Sequence, residues 1–295
     1  MEPFVSVVVP TFQRPAALAA CLGALAELDY PRDRYEAIVV VDGGVPPAEA
    51  IAHAQGRLDV SMIEQPNAGP AAARNTGAMQ ARGDLLAFTD DDCLPDRGWL
   101  RAFAELGIEE DVLAGGRIVN GAPDNVYAEA SQLVLDFVFD YYCADPQRAR
   151  FLISCNMCVP ADRFREVGGF DARFRISEDR ELSDRWRFGD GRVVYVPEAV
   201  VHHVRPMSFR GFVRQHFAYG RGAYRYQQER ARRGSGRLRS DVSFHRELPG
   251  RLRRTLPRTG RRAPALAGLL GVWQAANTAG FLYEAAKDRK AGRGG

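Results

Sequence analysis

Three consecutive carboxylates, Asp90-Asp91-Asp92, follow a short apolar run from Leu85 to Phe88. Adjacent carboxylates repel one another unless a cation lies between them, and hard ions such as Mg²⁺ or Mn²⁺ favour oxygen donors. The first reading is therefore a divalent metal carrying a phosphorylated ligand. Two plainer roles fit the same residues: a solvated acidic turn, or a cap for a helix from Trp99 to Glu105. A second acid pair, Glu178-Asp179, follows Ser177. By its spacing it suits the first turn of a helix that Ser177 would cap. His202-His203 closes an apolar run ending at Val201, as partly buried histidines at a strand end would. Cys155-x-x-Cys158 has no second cysteine pair, so a structural zinc site is not expected and buried thiols are.

These groups need a frame. Phe4–Val9, Tyr35–Val41, Val60–Ile63 and Leu85–Phe88 are short apolar runs with turn formers around them, as in buried strands. Helices are expected over 15–28, 48–55 and about 71–81. The alternation implies right-handed crossovers and a mostly parallel sheet. In such sheets ligands sit beyond the carboxyl ends of the strands, so Thr11, Asp42 and Asp90 should share one edge. Further on, strands are expected within 111–118, 153–159, 193–196 and 199–201. Helices are expected over 126–142, 162–167 and from Ser177. Asn156 interrupts an apolar strand. It is placed either in a ligand pocket or on buried backbone groups. Trp99 is read as core or as an acceptor platform. Neither the dinucleotide fingerprint nor the phosphate loop is present, so phosphate binding must rely on another device.

Composition is that of a globular α/β protein, with 46% hydrophobic and 26% charged residues over 295 positions and a net charge of +3. The charge is uneven: Arg205 to Arg262 holds seventeen arginines against three acidic residues. Five cysteines in no regular framework point to a reducing compartment. Met1-Glu2-Pro3 leads directly into Phe4–Val9, without the basic start of a leader, so no signal peptide and a cytoplasmic location are expected. Ala263 to Tyr283 is apolar over about a membrane span, but Gln274, Asn277 and several glycines interrupt it. The basic stretch followed by this segment fits a solvated helical face, or a peripheral site on the inner, anionic face of the cell membrane. No nucleic-acid module is visible, and no nucleic-acid partner is expected.

Seven pieces in sequence resemble glycosyltransferase family 2: Val8-Val9-Pro10-Thr11-Phe12-Gln13-Arg14, Val40-Val41-Asp42-Gly43-Gly44, Asn67 to Asn75, Phe88 to Asp92, Val167-Gly168-Gly169-Phe170-Asp171, Glu178 to Leu182, and Val201-His202-His203. The resemblance runs from about Val5 to Ser208. It implies a GT-A (Rossmann-like) catalytic domain over 1–205, with a nucleotide-sugar half to about 95 and an acceptor half over 96–205, then a helical, arginine-rich extension over 206–295.

The same resemblance implies a metal-dependent, inverting hexosyltransferase. It would move a sugar from a nucleotide-diphosphate sugar, UDP by default, to an acceptor hydroxyl in glycan, glycolipid or natural-product synthesis. Pro10, Thr11, Phe12, Arg14, Asp42, Arg74, Asn75, Asp90 and Asp91 fall at nucleotide-binding positions. Asp92 and His203 fall at the Mn²⁺ or Mg²⁺ site. Asp179 resembles the general base, with Glu178 beside it. The processive motif Gln-x-x-Arg-Trp is absent near Arg214–Arg221, which favours one sugar per acceptor. A sugar nucleotidyltransferase would need a glycine-rich activating loop that Pro10–Arg14 does not supply. A non-catalytic nucleotide-sugar or lipid-binding module is the alternative from another class.

Overall fold

The computed structural model describes residues 2–107, 111–236 and 239–291. Residues 108–110 of the expected acceptor half, and Arg237, Leu238 and 292–295 of the expected extension, lie outside the described residues. The chain divides into two compact units, Met1–Gly121 with Asp145–Val204, and Ala122–Ala144 with Arg205–Gly295. The expected 206–295 extension is thus joined by the segment around residues 126–142.

The first unit is built on one eight-stranded sheet. Its strands are β1 (Val5–Thr11), β2 (Tyr35–Asp42), β3 (Val60–Gln65), β4 (Leu85–Thr89), β5 (Cys93–Pro95), β6 (Val112–Asn120), β7 (Asn156–Pro160) and β8 (Arg192–His203), in the order β3-β2-β1-β4-β7-β6-β8-β5. Pairs β1/β2, β1/β4, β2/β3 and β6/β8 are parallel, whereas β4/β7, β6/β7 and β5/β8 are antiparallel. This is the mostly parallel α/β arrangement that the alternation of elements predicts. β1, β2 and β4 are buried along their whole length, as near-continuous apolar runs require. The crossover helices are α1 (Pro15–Leu25), α2 (Ala48–Gln55) and α3 (Pro70–Gln80). Helix α1 buries Leu18, Cys21, Leu22 and Leu25, its period-3.6 stripe, and stops short of Leu28. α4 (Trp99–Glu105) follows β5, and α6 (Ala161–Glu166) and α7 (Glu178–Phe188) precede β8.

Two features differ from the sequence reading. β5 is too short to show as a run, yet it pairs with the end of β8. β8 is one strand rather than two: the register against β6 shifts after Gly116, and this bulge absorbs Pro197, Glu198 and Ala199. A Cβ on Gly116 would lie 1.9 Å from the Ala199 carbonyl oxygen, so the bulge needs glycine there.

The second unit is helical: α5 (Val126–Tyr142), α8 (Phe209–Arg233), α9 (Arg239–Thr255) and α10 (Ala263–Ala291). Ser208 caps α8 by accepting the Gly211 N–H at 3.1 Å, and Gly234 ends it at positive φ. α8 and α10 meet backbone to backbone. A Cβ on Gly220 would lie 1.9 Å from the Asn277 oxygen, and one on Gly280 2.0 Å from the Phe217 oxygen. Leu266, Leu269, Leu270, Trp273 and Ala276 form the buried stripe of α10. Among the described residues no helix is long and apolar enough to cross a membrane.

Candidate active site

The carboxyl ends of β1, β4 and β8 converge on the acid cluster. β4 delivers Asp90-Asp91-Asp92 as it leaves the core; Asp91 is fully buried and Asp92 nearly so. From the end of β1, Thr11 Oγ1 donates to Asp91 Oδ2 at 2.7 Å. Arg14, three residues on, reaches both Asp91 and Asp92 with its guanidinium. Burial pushes the Asp91 carboxyl up to about 6, against the Thr11 hydrogen bond and the Arg14 charge. From the end of β8, His203 Nε2 lies 3.3 Å from Asp92 Oδ1.

Register decides which histidine faces the site. Cys93 is paired with His203 across β5/β8 and Leu94 with His202, so the two rings point to opposite faces. His202 Nε2 meets Asp96 Oδ1 at 2.9 Å instead. Ligand atoms of Asp92, Cys93 and His203 lie within 4.8 Å of one another. A carboxylate oxygen and an imidazole nitrogen 3.3 Å apart suit a divalent ion of the Mn²⁺ type, so these residues fit the metal that the resemblance implies. Cys93 was not singled out in the sequence. Its signal was its place directly after the acids, but its partner His203 is 110 positions away. Burial and a hydrogen bond with Cys155 push the Cys93 thiol up, so it is a protonated neighbour. All five cysteines are buried and free.

Arg74 is buried and bridges two acids. Its Nη2 donates to Asp90 Oδ1 at 2.6 Å and its Nη1 to Glu178 Oε1 at 2.8 Å, while its guanidinium lies 5.6 Å from the Phe170 ring centre. Asn75 is engaged on the backbone of Phe170, donating to its oxygen at 2.7 Å and accepting its N–H at 2.9 Å. Both residues therefore shape the site from within. Gly169, at positive φ, allows this clasp: a Cβ there would lie 2.6 Å from Asn75 Oδ1. Arg185 holds the same turn through the Val167 and Gly169 carbonyls while pairing with Glu181 one helical turn earlier.

Asp42 is likewise an organiser. Its Oδ1 accepts from Gln65 Nε2 and the Ala68 N–H, both at 2.8 Å, and its Oδ2 accepts the Gly69 N–H at 2.9 Å. The carboxylate is buried and fixes the turn before α3. Pro10 is buried in β1, and Phe12 is 45% exposed beside it. Asn156 and Trp99 are core residues, not the walls of an acceptor pocket. Trp99 Nε1 donates to Asn156 Oδ1 at 2.8 Å, and Asn156 Nδ2 donates to the Arg117 and Ala199 carbonyls at 2.9 and 2.8 Å. The amide thus satisfies the carbonyls that the β8 bulge leaves unpaired.

The acid pair opens α7. Ser177 does not cap this helix with its side chain; it takes a left-handed conformation at φ 72, an uncommon one for a residue with a Cβ. Asp179 accepts the Arg180 N–H at 2.7 Å. Burial pushes the Asp179 carboxyl up to about 7, with the Glu178 charge adding, and the Arg180 N–H and Arg74 opposing. A helix start by itself lowers a carboxyl's proton affinity; here desolvation outweighs it. A carboxyl poised near neutrality can accept a proton from a bound hydroxyl.

Known proteins resemble this chain in both sequence and fold. Glycosyl transferase family 2 matches residues 6–168, more than half of the chain. Glycosyltransferase AglE of Haloferax volcanii is 28% identical over 228 residues, covering 75% of this chain and 73% of that protein. The pre-mycofactocin glycosyltransferase of Mycobacterium tuberculosis is 30% identical over 225 residues, covering 74% of this chain and 46% of that protein. The chain thus matches less than half the length of this second relative. Among solved structures, the mannosyltransferase PcManGT from Pyrobaculum calidifontis, in complex with GDP-Man and Mn²⁺, has a TM-score of 0.67 at 20% identity over 97% of this chain and 86% of that one. GalNAc-T7 with UDP, GalNAc and Mn²⁺ has a TM-score of 0.57 at 15% identity, over 83% of this chain and 55% of that one. These likenesses give the shared GT-A fold. The match to the family model over more than half of this chain's length establishes that the chain belongs to glycosyl transferase family 2.

Proposed function

We propose that this protein is a divalent-metal-dependent, inverting glycosyltransferase that moves one sugar from a nucleoside diphosphate sugar to an acceptor hydroxyl. The observation that carries this reading is the meeting of three strand ends: Thr11 on Asp91, Arg14 on Asp92, and His203 on Asp92. A divalent ion held by Asp92 and His203 supplies Lewis-acid stabilisation of the diphosphate leaving group. Exposed Phe12 offers an aromatic face to the nucleotide base, and half-exposed Arg14 offers its guanidinium to phosphate oxygens. Asp42, Arg74 and Asn75 hold the walls of that site through the hydrogen bonds described above.

The two acids of α7 divide the remaining work. Glu178 is ion-paired with buried Arg74, so its carboxylate is already engaged within the wall of the site. Asp179, whose proton affinity burial raises despite the Arg74 and Arg180 charges, takes the hydroxyl proton as attack proceeds. One acceptor carboxylate opposite the leaving group gives direct displacement and inversion. The relatives' names span different acceptors, so the acceptor is defined only as a hydroxyl. UDP and GDP sugars are the first donors to test, because the structural neighbours hold GDP-Man and UDP. The basic helices of the second unit fit an anionic membrane surface, and a peripheral cytoplasmic-face location follows from that reading.

The test is transfer from UDP- and GDP-sugars to a panel of hydroxyl acceptors with Mn²⁺, for wild type and Asp179→Asn. Turnover that depends on Asp179 and yields the inverted anomer is expected. Nucleotide-sugar binding without turnover across the panel would favour the non-catalytic binding module, and a retained anomer would contradict direct displacement.

A further inference from the structure

The Asp92 carboxylate has two suitors. Its Oδ1 faces His203, and its Oδ2 accepts from Arg14 Nη1, while the other Arg14 nitrogen meets Asp91. A guanidinium bridging two neighbouring carboxylates is a strong local counter-ion, and a divalent ion seeking Asp92 must compete with it. The Arg14 backbone is fixed, because its carbonyl accepts the Leu18 N–H at 3.0 Å at the start of α1. Its side chain is 44% exposed, so the guanidinium can leave the acids without disturbing the fold.

We propose that Arg14 is an exchangeable counter-ion of the Asp91-Asp92 pair, which holds metal affinity down until a nucleoside diphosphate takes the guanidinium over. This rests on the metal-site reading above and adds a binding order to it. Free metal meets an acid already neutralised by Arg14. A diphosphate, with two to three negative charges, draws the guanidinium away and leaves Asp92 to the metal. The two ligands therefore help each other. By linkage, the factor by which diphosphate strengthens metal binding equals the factor by which metal strengthens diphosphate binding. The donor and its ion then load together, and metal alone binds weakly.

The experiment is Mn²⁺ titration by electron paramagnetic resonance of the free ion, with the full chain, in the absence and presence of UDP or GDP. It compares wild type, Arg14→Gln, Arg14→Lys and Asp92→Asn. Arg14→Gln should bind Mn²⁺ alone about three- to tenfold more tightly, the discounted value of a charged hydrogen bond at a half-exposed position. Its coupling between Mn²⁺ and diphosphate should fall by a similar factor. Arg14→Lys keeps the charge but not the two-pronged contact, and should lie between the two. Unchanged or weaker Mn²⁺ binding by Arg14→Gln overturns the proposal, as does Arg14→Lys behaving as wild type, which would reduce the effect to a general field. Asp92→Asn separates the two ideas. If it leaves Mn²⁺ affinity unaltered, the metal-site reading itself fails. If it weakens Mn²⁺ while Arg14→Gln tightens nothing, only the counter-ion exchange fails.

Discussion

The two units both bury acids beside arginines, but in opposite proportion. At the strand edge of the first unit, five acids, Asp90, Asp91, Asp92, Glu178 and Asp179, lie among three arginines, Arg14, Arg74 and Arg180. In the second unit the buried acid Glu284 sits between Arg221 Nε at 2.6 Å and Arg225 Nε at 2.8 Å. Burial opposes the ionised form of Glu284, yet hydrogen bonds from both arginines hold its carboxyl below the usual range. Where cations exceed acids, the acid is locked as an anion and pins two helices together. Where acids exceed cations, two carboxyls are left with raised proton affinity, and the cluster can accept a proton or a divalent ion. The lesson is one of stoichiometry: a deficit of arginine marks the chemical site, and a surplus marks a brace.

The sharpest way to break this comparison is at Asp179. Asp179→Asn removes the proton acceptor and should lower kcat by about 10²- to 10⁴-fold in a transfer assay, the usual worth of a positioned general base. Glu178→Gln should cost far less in the proton step. Equal losses would mean that the pair works as one unit. Next comes Arg74→Met, which leaves buried Glu178 and partly exposed Asp90 without their cation. It should destabilise the fold by about 3–5 kcal/mol in urea unfolding, as broken buried pairs do. Glu284→Gln is the counterpart in the helical unit. Its arginines are more than a third exposed, so about 1 kcal/mol is expected. A loss at Glu284 as large as that at Arg74 would erase the distinction between brace and site.

A smaller effect concerns pH. The ordinary value for an aspartate is 3.8, and Asp179 stands at about 7 in the folded chain. Between these values the folded state holds a proton that the unfolded state has lost. Stability from this group therefore falls as pH rises through that window and is level above it. Asp179→Asn should remove the slope and raise Tm at pH 8 by about 2–4 °C in differential scanning calorimetry, equivalent to roughly 1 kcal/mol in a domain of this size. Wild-type turnover should fall as pH drops below about 7, when the acceptor carboxyl becomes protonated.

Much of the frame was legible because it depends on local pattern. The apolar runs at β1, β2 and β4 announce buried strands, and the stripe Leu18–Cys21–Leu22–Leu25 announces α1. The acids at the end of β4 and the histidines at the end of β8 fall where strand ends must put them. What the sequence hides are partners far apart along the chain. Arg74 finds Glu178 across 104 positions, and Asn75 clasps the backbone of Phe170 across 95. An arginine or asparagine in an arginine-asparagine motif looks the same whether it meets a ligand or a loop. β5 has three residues and no pattern of its own, so the Cys93–His203 pairing is invisible without the sheet. The proton affinity of Asp179 is hidden for a related reason. The helix start is visible in sequence, but the burial that overrides it depends on the surrounding fold.

The central claim is that the strand edge around Asp92 and His203 binds a diphosphate together with a divalent ion. The most direct measurement is a thermal-shift panel of UDP, GDP, dTDP, ADP and CDP, each with and without Mn²⁺, on wild type, Asp92→Asn and His203→Ala. Ligand bound to the folded state raises Tm by mass action. The account predicts that one diphosphate stabilises wild type chiefly when Mn²⁺ is present, and that both variants lose the Mn²⁺-dependent part. Stabilisation by a diphosphate that is indifferent to Mn²⁺, or a Mn²⁺-dependent shift that survives in both variants, would contradict it.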